Sequence, residues 1–331
     1  MRIVITGGCG FLGRRVAIRL LEKGCGLGPV DELVLFDNAP PASALPEDKR
    51  LTLVTGDIAD PDTVARLIAA PDSDGGTDAV FHLAAVVSGQ AEADTDLGYR
   101  VNLDGTRAVL DACRALGSSP RLVFASSLAV YGGALPPVVG DDTALQPQSS
   151  YGTQKAIGEL LVNDYSRKGY VDGRVLRLPT VVVRPGLPNR AASTFASSMI
   201  REPLTGRDAV CPVSPDTVMA LASPRRIVEG LVRALDLPGD AFGASRSLQL
   251  PGFSVAVGDM AAALRQAGGA AAHARIRWEP DPAIQAIISS WPRALASPRA
   301  EALGFGRDSG IDEVIQAFIE DDLAAQMQIG G

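Results

Sequence analysis

Cysteine and histidine are both scarce in this 331-residue chain. Its four cysteines, Cys9, Cys25, Cys113 and Cys211, lie far apart with no CxxC, and its two histidines are His82 and His273. This pattern excludes a disulfide framework and a zinc site of the usual Cys and His spacing, so no metal is expected. Long apolar runs are missing as well. No stretch is long enough to span a bilayer, and the N-terminus enters an apolar strand without the charged start, apolar segment and small-residue cleavage site of a signal peptide. The expected compartment is therefore the cytoplasm, with no membrane partner. Basic residues are not in excess: the net charge is -7, and no run of Lys or Arg marks a nucleic-acid footprint. Repeats and low-complexity linkers are absent apart from an alanine- and glycine-rich turn at Gly268 to Ala272. With 46% hydrophobic and 21% charged residues, the chain can bury a substantial core in about two domains or one enlarged one. Small-molecule chemistry is the expectation.

The residues that carry such chemistry begin at the N-terminus. An apolar run, Ile3 to Ile5, meets a glycine cluster, after which Phe11, Leu12, Val16, Leu20 and Leu21 recur at helical spacing. This is strand, tight turn and helix. Gly7, Gly10 and Gly13 form GxxGxxG: the first permits the turn, the second lets a pyrophosphate approach the backbone, and the third lets the helix pack on the strand. A helix N-terminus aimed at the phosphates favours an anion through its unpaired N–H groups and its dipole.

A second strand, Leu33 to Phe36, ends in Asp37, at the distance from the glycine turn where a dinucleotide fold carries an acid for the adenosine ribose. A carboxylate there repels a 2'-phosphate, and Asn38 to Pro41 hold no arginine to receive one. NAD is expected rather than NADP. Leu51 to Val54 is a third strand, left through Gly56, Asp57 and Ile58 toward a helix that Pro61 starts; Asp57 and Ile58 would flank the adenine. Pro71 to Asp78 reads as a solvated loop before the strand Ala79 to Leu83. Beyond it come Ala84, Ala85 and an expected loop, Val86 to Asp96, whose Ser88, Gly89 and Gln90 would lie in the ligand crevice at the carboxyl ends of the strands. A helical stretch with Asn102, Gly105, Val109 and Leu110 follows. His82, inside an apolar strand, reads as a core histidine. A fifth strand, Leu122 to Ala125, runs into Ser126 and Ser127. After Ser150 come Tyr151 and Lys155, four apart and so on one face of a helix.

Taken together, TGGCGFLG at Thr6 to Gly13, Asp37, GDI at Gly56 to Ile58, HLAA at His82 to Ala85, Asn102, SSLAVYG at Ser126 to Gly132 and YGTQK at Tyr151 to Lys155 resemble the extended short-chain dehydrogenase/reductases. That superfamily includes the nucleotide-sugar epimerases. The resemblance covers nearly the whole chain and implies an α/β fold: a Rossmann-type doubly wound parallel sheet with a smaller C-terminal substrate-binding lobe. Residues 1–175 would form the NAD-binding domain and 176–331 mostly the lobe, including a sixth strand that returns to the sheet. The implied NAD contacts are Gly7, Gly10, Phe11, Leu12, Gly13, Asp37, Asp57, Ile58, Leu83, Ala84, Ala85, Asn102, Tyr151, Lys155 and Pro179. The implied catalytic residues are Ser127, Tyr151 and Lys155, with Ser126 the adjacent alternative. The superfamily's frequent dimer implies a homodimer through the helices bearing Asn102 and Tyr151.

The chemistry can also be argued from the residues. A free phenol ionises near pH 10, so a tyrosine base working near neutrality needs roughly three units of lowering, about 4 kcal/mol. The Lys155 ammonium and the positive nicotinamide can supply it. Tyr151 would then take the substrate hydroxyl proton while Ser127 holds the same oxygen and Lys155 also holds the nicotinamide ribose.

After a sixth strand, Arg174 to Val183, the alternation of strands and helices becomes irregular, and substrate identity is expected there. Thr180 would begin the substrate pocket, and Arg184 or Arg190 could bind a carboxylate through a two-bond fork. Arg225, opening the helix IVEGLVRAL, is a third candidate. A short strand at Leu248 to Leu250, a helix at Asp259 to Gln266 and a closing helix at Ile311 to Leu323 would complete the lobe. The stretches from Leu178 to Gly206 and from Trp278 to Pro292 resemble superfamily members that oxidise a small sugar acid, with NAD reduced. The alternatives are a nucleotide-sugar epimerase or dehydratase that retains its NAD and, from another class, a non-catalytic NAD-sensing module.

Overall fold

Strand β1, Arg2–Thr6, is wholly buried from Ile3 to Ile5, the signature of a strand covered on both faces rather than one. Chain order then runs through α1 (Phe11–Lys23), β2 (Glu32–Asp37), β3 (Leu51–Thr55), α2 (Pro61–Ala69), β4 (Ala79–His82), α3 (Ser88–Ala93), α4 (Thr95–Gly98), a π-helical turn at Tyr99–Asp104, α5 (Gly105–Leu116), β5 (Arg121–Ser127), α6 (Ser150–Arg167) and β6 (Asp172–Leu178). Beyond β6 lie β7 (Thr180–Val181), α7 (Thr194–Leu204), β8 (Ala209–Cys211), β9 (Val218–Ala222), α8 (Pro224–Asp236), β10 (Ser247–Gln249), β11 (Phe253–Ala256), α9 (Val257–His273) and β12 (Ile276–Trp278). The chain closes with α10 (Pro282–Ser289), α11 (Pro298–Ala302), α12 (Ile311–Asp321) and α13 (Leu323–Gln328). The computed structural model describes residues 1–41, 45–70, 76–188 and 191–328. Residues 71–75 of the loop before β4 lie outside the described residues.

The described chain divides into two compact units. The first comprises Met1–Val130, Ser149–Arg177 and Val228–Gln249; the second comprises Tyr131–Gln148, Leu178–Ile227 and the chain from Leu250 onward. A single boundary near residue 175 does not describe this division, because the chain enters each unit more than once.

In the first unit one seven-stranded sheet has the order β10-β6-β5-β4-β1-β2-β3. Read from the other edge, this is the 3-2-1-4-5-6 order of a doubly wound dinucleotide fold with one added strand. The order reverses between β1 and β4, which pair in parallel from Ile3 with Ala79 to Thr6 with His82. In such sheets the ligand crevice opens at the carboxyl ends of the strands beside this reversal. One core of this unit joins Val4, Val34, Phe36, Val80, Leu122 and Phe124 of the sheet to Val64 and Leu67 of α2 and Val109 of α5.

Local chemistry sets the helix ends. Asp60 accepts the Asp62 N–H at 3.2 Å and Pro61 occupies the first turn of α2. Ser149 accepts the Gly152 N–H at 3.1 Å and starts α6. The expected loop at Val86 to Asp96 is instead largely helical, with Ser88, Gly89 and Gln90 opening α3.

Two expected strands fall elsewhere. Arg174 to Val183 is not one strand: β6 stops at Leu178, since Pro179 has no N–H for the ladder. Thr180 and Val181 form β7, which pairs with β9 in a three-stranded sheet of the second unit. The short strand placed at Leu248 to Leu250 is not part of a lobe; β10 pairs in parallel with β6 at the edge of the large sheet.

The second unit is built around its own core, in which Phe195 and Met199 of α7, Met260 and Leu264 of α9, and Val314 and Phe318 of α12 meet Val182 and Val183. The alanine- and glycine-rich turn near Gly268 is a break inside α9, where Gly269 takes φ 78°. The closing helix is in two pieces, α12 and α13.

Candidate active site

The glycine turn after β1 is a bare backbone cradle. Gly7 has φ +67°, and a Cβ on it would lie 2.7 Å from the Ala84 nitrogen; on Gly13 it would lie 2.3 Å from the Gly7 carbonyl oxygen and 2.7 Å from Gly8 Cα. Those two glycines let β1, α1 and the chain leaving β4 touch without side chains between them. Gly10 differs. A Cβ there would meet only the Gly7 oxygen, at 3.1 Å, so its outer side is open among the described residues. Gly10 also begins α1 with no side-chain cap, leaving the first-turn N–H groups for an anion. Phe11 and Leu12 occupy that turn.

Asp37, at the tip of β2, completes this cradle. Its Oδ2 accepts the Cys9 N–H at 3.0 Å and its Oδ1 the Asn38 N–H at 2.8 Å, and a carboxylate retains lone pairs for further donors. A bare glycine turn, an uncapped helix start and an acid fixed between them fit a dinucleotide's pyrophosphate and ribose diol.

The ionisable groups gather where β5 meets α6. Tyr151 lies in the first turn of α6 and Lys155 in the next. The Lys155 ammonium is buried, donates to the Ala125 carbonyl at 2.9 Å, and lies 4.7 Å from the Phe124 ring centroid and 5.8 Å from that of Tyr151. Burial pushes its pKa down from 10.5 to about 8, with the Glu159 charge opposing that shift. The two serines differ. Ser126 is buried and donates to Glu159 Oε1 at 2.5 Å, whereas half-buried Ser127 accepts the Ala129 N–H at 3.2 Å. Having accepted an N–H, the Ser127 hydroxyl keeps its proton for another acceptor.

Sequence comparison matches residues 3–237 to the NAD dependent epimerase/dehydratase family. The chain belongs to that family. It is 55% identical over 326 residues to a D-erythronate dehydrogenase of Cupriavidus necator, covering 97% of this chain and 98% of the relative. A D-erythronate dehydrogenase of Haemophilus influenzae is 47% identical over 323 residues, 98% of this chain and 100% of the relative. Among solved structures, a protein described as a nucleoside-diphosphate-sugar epimerase from Agrobacterium tumefaciens superposes with a TM-score of 0.92 at 42% identity, covering 99% of this chain and 96% of that one. This member of the epimerase/dehydratase family is an NAD-dependent oxidoreductase.

The remaining residues singled out from the sequence fall into several settings. His82 is a core side chain: Nδ1 shares a hydrogen bond with Thr6 Oγ1 at 2.7 Å, Nε2 one with Thr106 Oγ1 at 2.9 Å, and burial pushes its pKa down to about 3. Leu83 donates its N–H to the Thr6 carbonyl, and Ala84 donates to the Thr6 hydroxyl at 3.4 Å, so this segment runs beside the glycine turn with Ala85 next in chain. Ile58 is buried, while Asp57 is half-exposed and paired with Arg100 at 2.6 Å. Asn102, in the π-helical turn, clamps the Val86 backbone at 2.8 and 3.1 Å and donates to Gln154 Oε1 at 2.7 Å.

Pro179, Thr180 and Arg184 belong to the second unit. The Arg184 N–H donates to Ser197 Oγ at 3.0 Å and its carbonyl accepts from Arg201 Nη1 at 2.6 Å. Arg190 lies outside the described residues. Arg225 is corrected as a carboxylate reader, because it forks onto Asp321 at 2.6 and 2.7 Å and reaches Glu320 at 2.8 Å.

Sequence reasoning missed Gln154 and Glu159, both buried on α6 beside Lys155. Their spacing from Lys155 was legible; their partners on other elements were not. Among the described residues no three His, Cys, Asp or Glu side chains group as metal ligands, and no helix is long and apolar enough to cross a membrane.

Proposed function

We propose that the protein oxidises a secondary hydroxyl of a small sugar acid, D-erythronate at C2, to the 2-oxo acid. The observation that carries this reading is Lys155, buried one turn from Tyr151 at the end of β5, together with full-length similarity to two D-erythronate dehydrogenases. Gly7, Gly10, Gly13, the first turn of α1 and Asp37 would hold NAD, and Lys155 its nicotinamide ribose. Bound NAD supplies the acceptor for the hydride that leaves the carbinol carbon.

The chain's own residues handle the proton and the oxygen. A positive charge held beside the phenol favours its ionised form, so Lys155 makes Tyr151 a base near neutrality. Tyr151 takes the substrate hydroxyl proton, and Ser127 donates to the oxygen that becomes the carbonyl. Ser127 suits this role better than Ser126, whose hydroxyl is already committed to Glu159. Ser88, Gly89 and Gln90, at the start of α3, would bind part of the acid; Thr180, Arg184 and Arg190 stay the candidates that the sequence offers.

Incubation with NAD and a panel of aldonates, uronates and hydroxy acids, read as NADH absorbance, tests the assignment. Stoichiometric NADH with D-erythronate is the expected result. The similarity to a protein described as a sugar-nucleotide epimerase favours one rival. Conversion of a nucleotide sugar without NADH release would establish it, and NAD binding with no turnover on either panel would point to a sensor. Tyr151→Phe should retain NAD binding and lose at least about a hundredfold in rate. Exposed Leu160 on α6 and Tyr99 in the π-helical turn support a homodimer through these helices, which light scattering would test. Four free thiols among the described residues support a reducing compartment, the cytoplasm.

A further inference from the structure

Glu159 lies one turn beyond Lys155 on α6 and is 1% exposed. Its carboxylate accepts Ser126 Oγ at 2.5 Å from β5, and Arg177 Nε at 3.0 Å and Nη2 at 2.7 Å from β6. One side chain thus joins a helix to two neighbouring strands. Three consecutive residues at the end of β5 make different bonds: Ala125 accepts Lys155 through its carbonyl, Ser126 donates to Glu159, and Ser127 accepts the Ala129 N–H. Successive strand side chains alternate between faces. Phe124 packs against α6, where a Cβ on Gly158 would come within 2.8 Å of its ring, and Ser126 shares that parity while Ser127 does not.

We infer that Glu159 is a positioning residue for the reaction, clipping the end of β5 to α6 through Ser126, with Arg177 as its brace, and so fixing the Ser127 hydroxyl relative to Tyr151 and Lys155. This rests on the catalytic reading proposed above. Neither Glu159 nor Arg177 needs to touch substrate. A misplacement of about 1 Å in such a site can cost on the order of a hundredfold in rate, so a partial loosening should read as a drop in kcat.

The clip is tested by a double-mutant cycle on Ser126→Ala and Glu159→Gln, with Tyr151→Phe as control, reading kcat, KM, the NAD dissociation constant by calorimetry and the thermal midpoint. Ser126→Ala should leave NAD affinity unchanged and lower kcat about tenfold with little change in KM. Glu159→Gln should lower kcat at least as far, and the double variant no further than Glu159→Gln alone, since both changes open one clip. Glu159→Gln should also move the alkaline limb of kcat/KM to lower pH. The charged and titratable groups that act on or lie beside Lys155 are Glu159 and Tyr151 on α6 and His82 on β4, with Arg177 on β6 held at the Glu159 carboxylate. With the carboxylate neutralised, Arg177 is unbalanced and the ammonium loses its support.

A lower thermal midpoint with wild-type kcat in Ser126→Ala would overturn the inference. So would losses that multiply in the double variant, because they would mean that Ser126 acts on substrate by itself. Should Glu159→Gln fail to fold, the kcat of Ser126→Ala decides. If Tyr151→Phe keeps its rate, the catalytic reading falls whatever the cycle shows; if it loses its rate and Ser126→Ala does not, only the clip falls.

Discussion

The Asp37 carboxylate accepts the Cys9 backbone N–H at 3.0 Å, so the acid at the tip of β2 is held against the glycine turn before any ligand arrives. If NAD binds as proposed, that contact fixes where its ribose end would meet negative charge. Asp37→Ala should weaken NAD by about tenfold or more, the effect of losing a hydrogen bond to a charged group. It should also narrow the preference over NADP, because a 2'-phosphate no longer meets a carboxylate. Calorimetric titration with both nucleotides measures the ratio; an unchanged ratio would remove Asp37 from the site.

Gly10 and Gly13 should respond differently to the same added methyl. On Gly13 it would strike backbone at 2.3 and 2.7 Å, which cannot yield without moving α1 from β1, so Gly13→Ala should cost about 1–3 kcal/mol of stability. On Gly10 it meets one oxygen at 3.1 Å. Gly10→Ala should therefore keep most of its stability yet lose NAD affinity, because the methyl faces the side from which a pyrophosphate approaches. Urea melts paired with NAD titrations separate the two, and equal losses of stability would contradict the assignment.

Burial and the nearby Lys155 charge push the His82 pKa from 6.5 down to about 3, which makes the ring a pH liability for the fold. The unfolded chain takes up a proton below pH 6.5 that the native chain refuses until about pH 3. Stability from this group is thus complete above the unfolded value and falls as pH drops through the window between the two. At pH 5 the loss is about 2 kcal/mol. Replacing the ring with a neutral amide, His82→Gln, should shrink the stability difference between pH 7 and pH 5 by about that amount in urea unfolding. An equal pH dependence in both proteins would show that His82 is protonated in the native state.

The parts of the candidate site that could be read from sequence are those whose partners lie nearby in the chain or at a characteristic spacing. Gly7, Gly10 and Gly13 share one turn, Tyr151 and Lys155 share one helical face, and Asp37 follows at the expected interval. The rest depended on tertiary pairing. Ser126 and Ser127 look alike until Glu159, 33 residues later, takes one hydroxyl. Arg225 looked available until Asp321, 96 residues away, filled its fork. β10 is only three residues long, too short for periodicity to tell a lobe strand from the edge of the main sheet. The break at Pro179 was visible in principle, since proline cannot donate to a ladder, but the apolar run TVVV after it masked the stop.

The proposed substrate class can be tested at an arginine. If a sugar acid is oxidised, its carboxylate must be held at a fixed distance from the carbinol facing Tyr151. The Arg184 backbone is tied on both sides to α7, through Ser197 at 3.0 Å and Arg201 at 2.6 Å, so the root of its side chain is anchored. A guanidinium makes two parallel bonds to a carboxylate, whereas an ammonium offers a point charge with looser orientation. Arg184→Lys should therefore raise KM and lower kcat together for D-erythronate, each by about tenfold, because affinity and alignment depend on the same fork. NAD affinity should stay unchanged, and Arg190→Lys is the parallel variant for the neighbouring candidate. Steady-state kinetics on erythronate and on the neutral analogue erythritol decide the matter. If both lysine variants keep wild-type constants, or if erythritol is oxidised as well as the acid, neither arginine reads a carboxylate, and the sugar-acid assignment would rest on similarity alone.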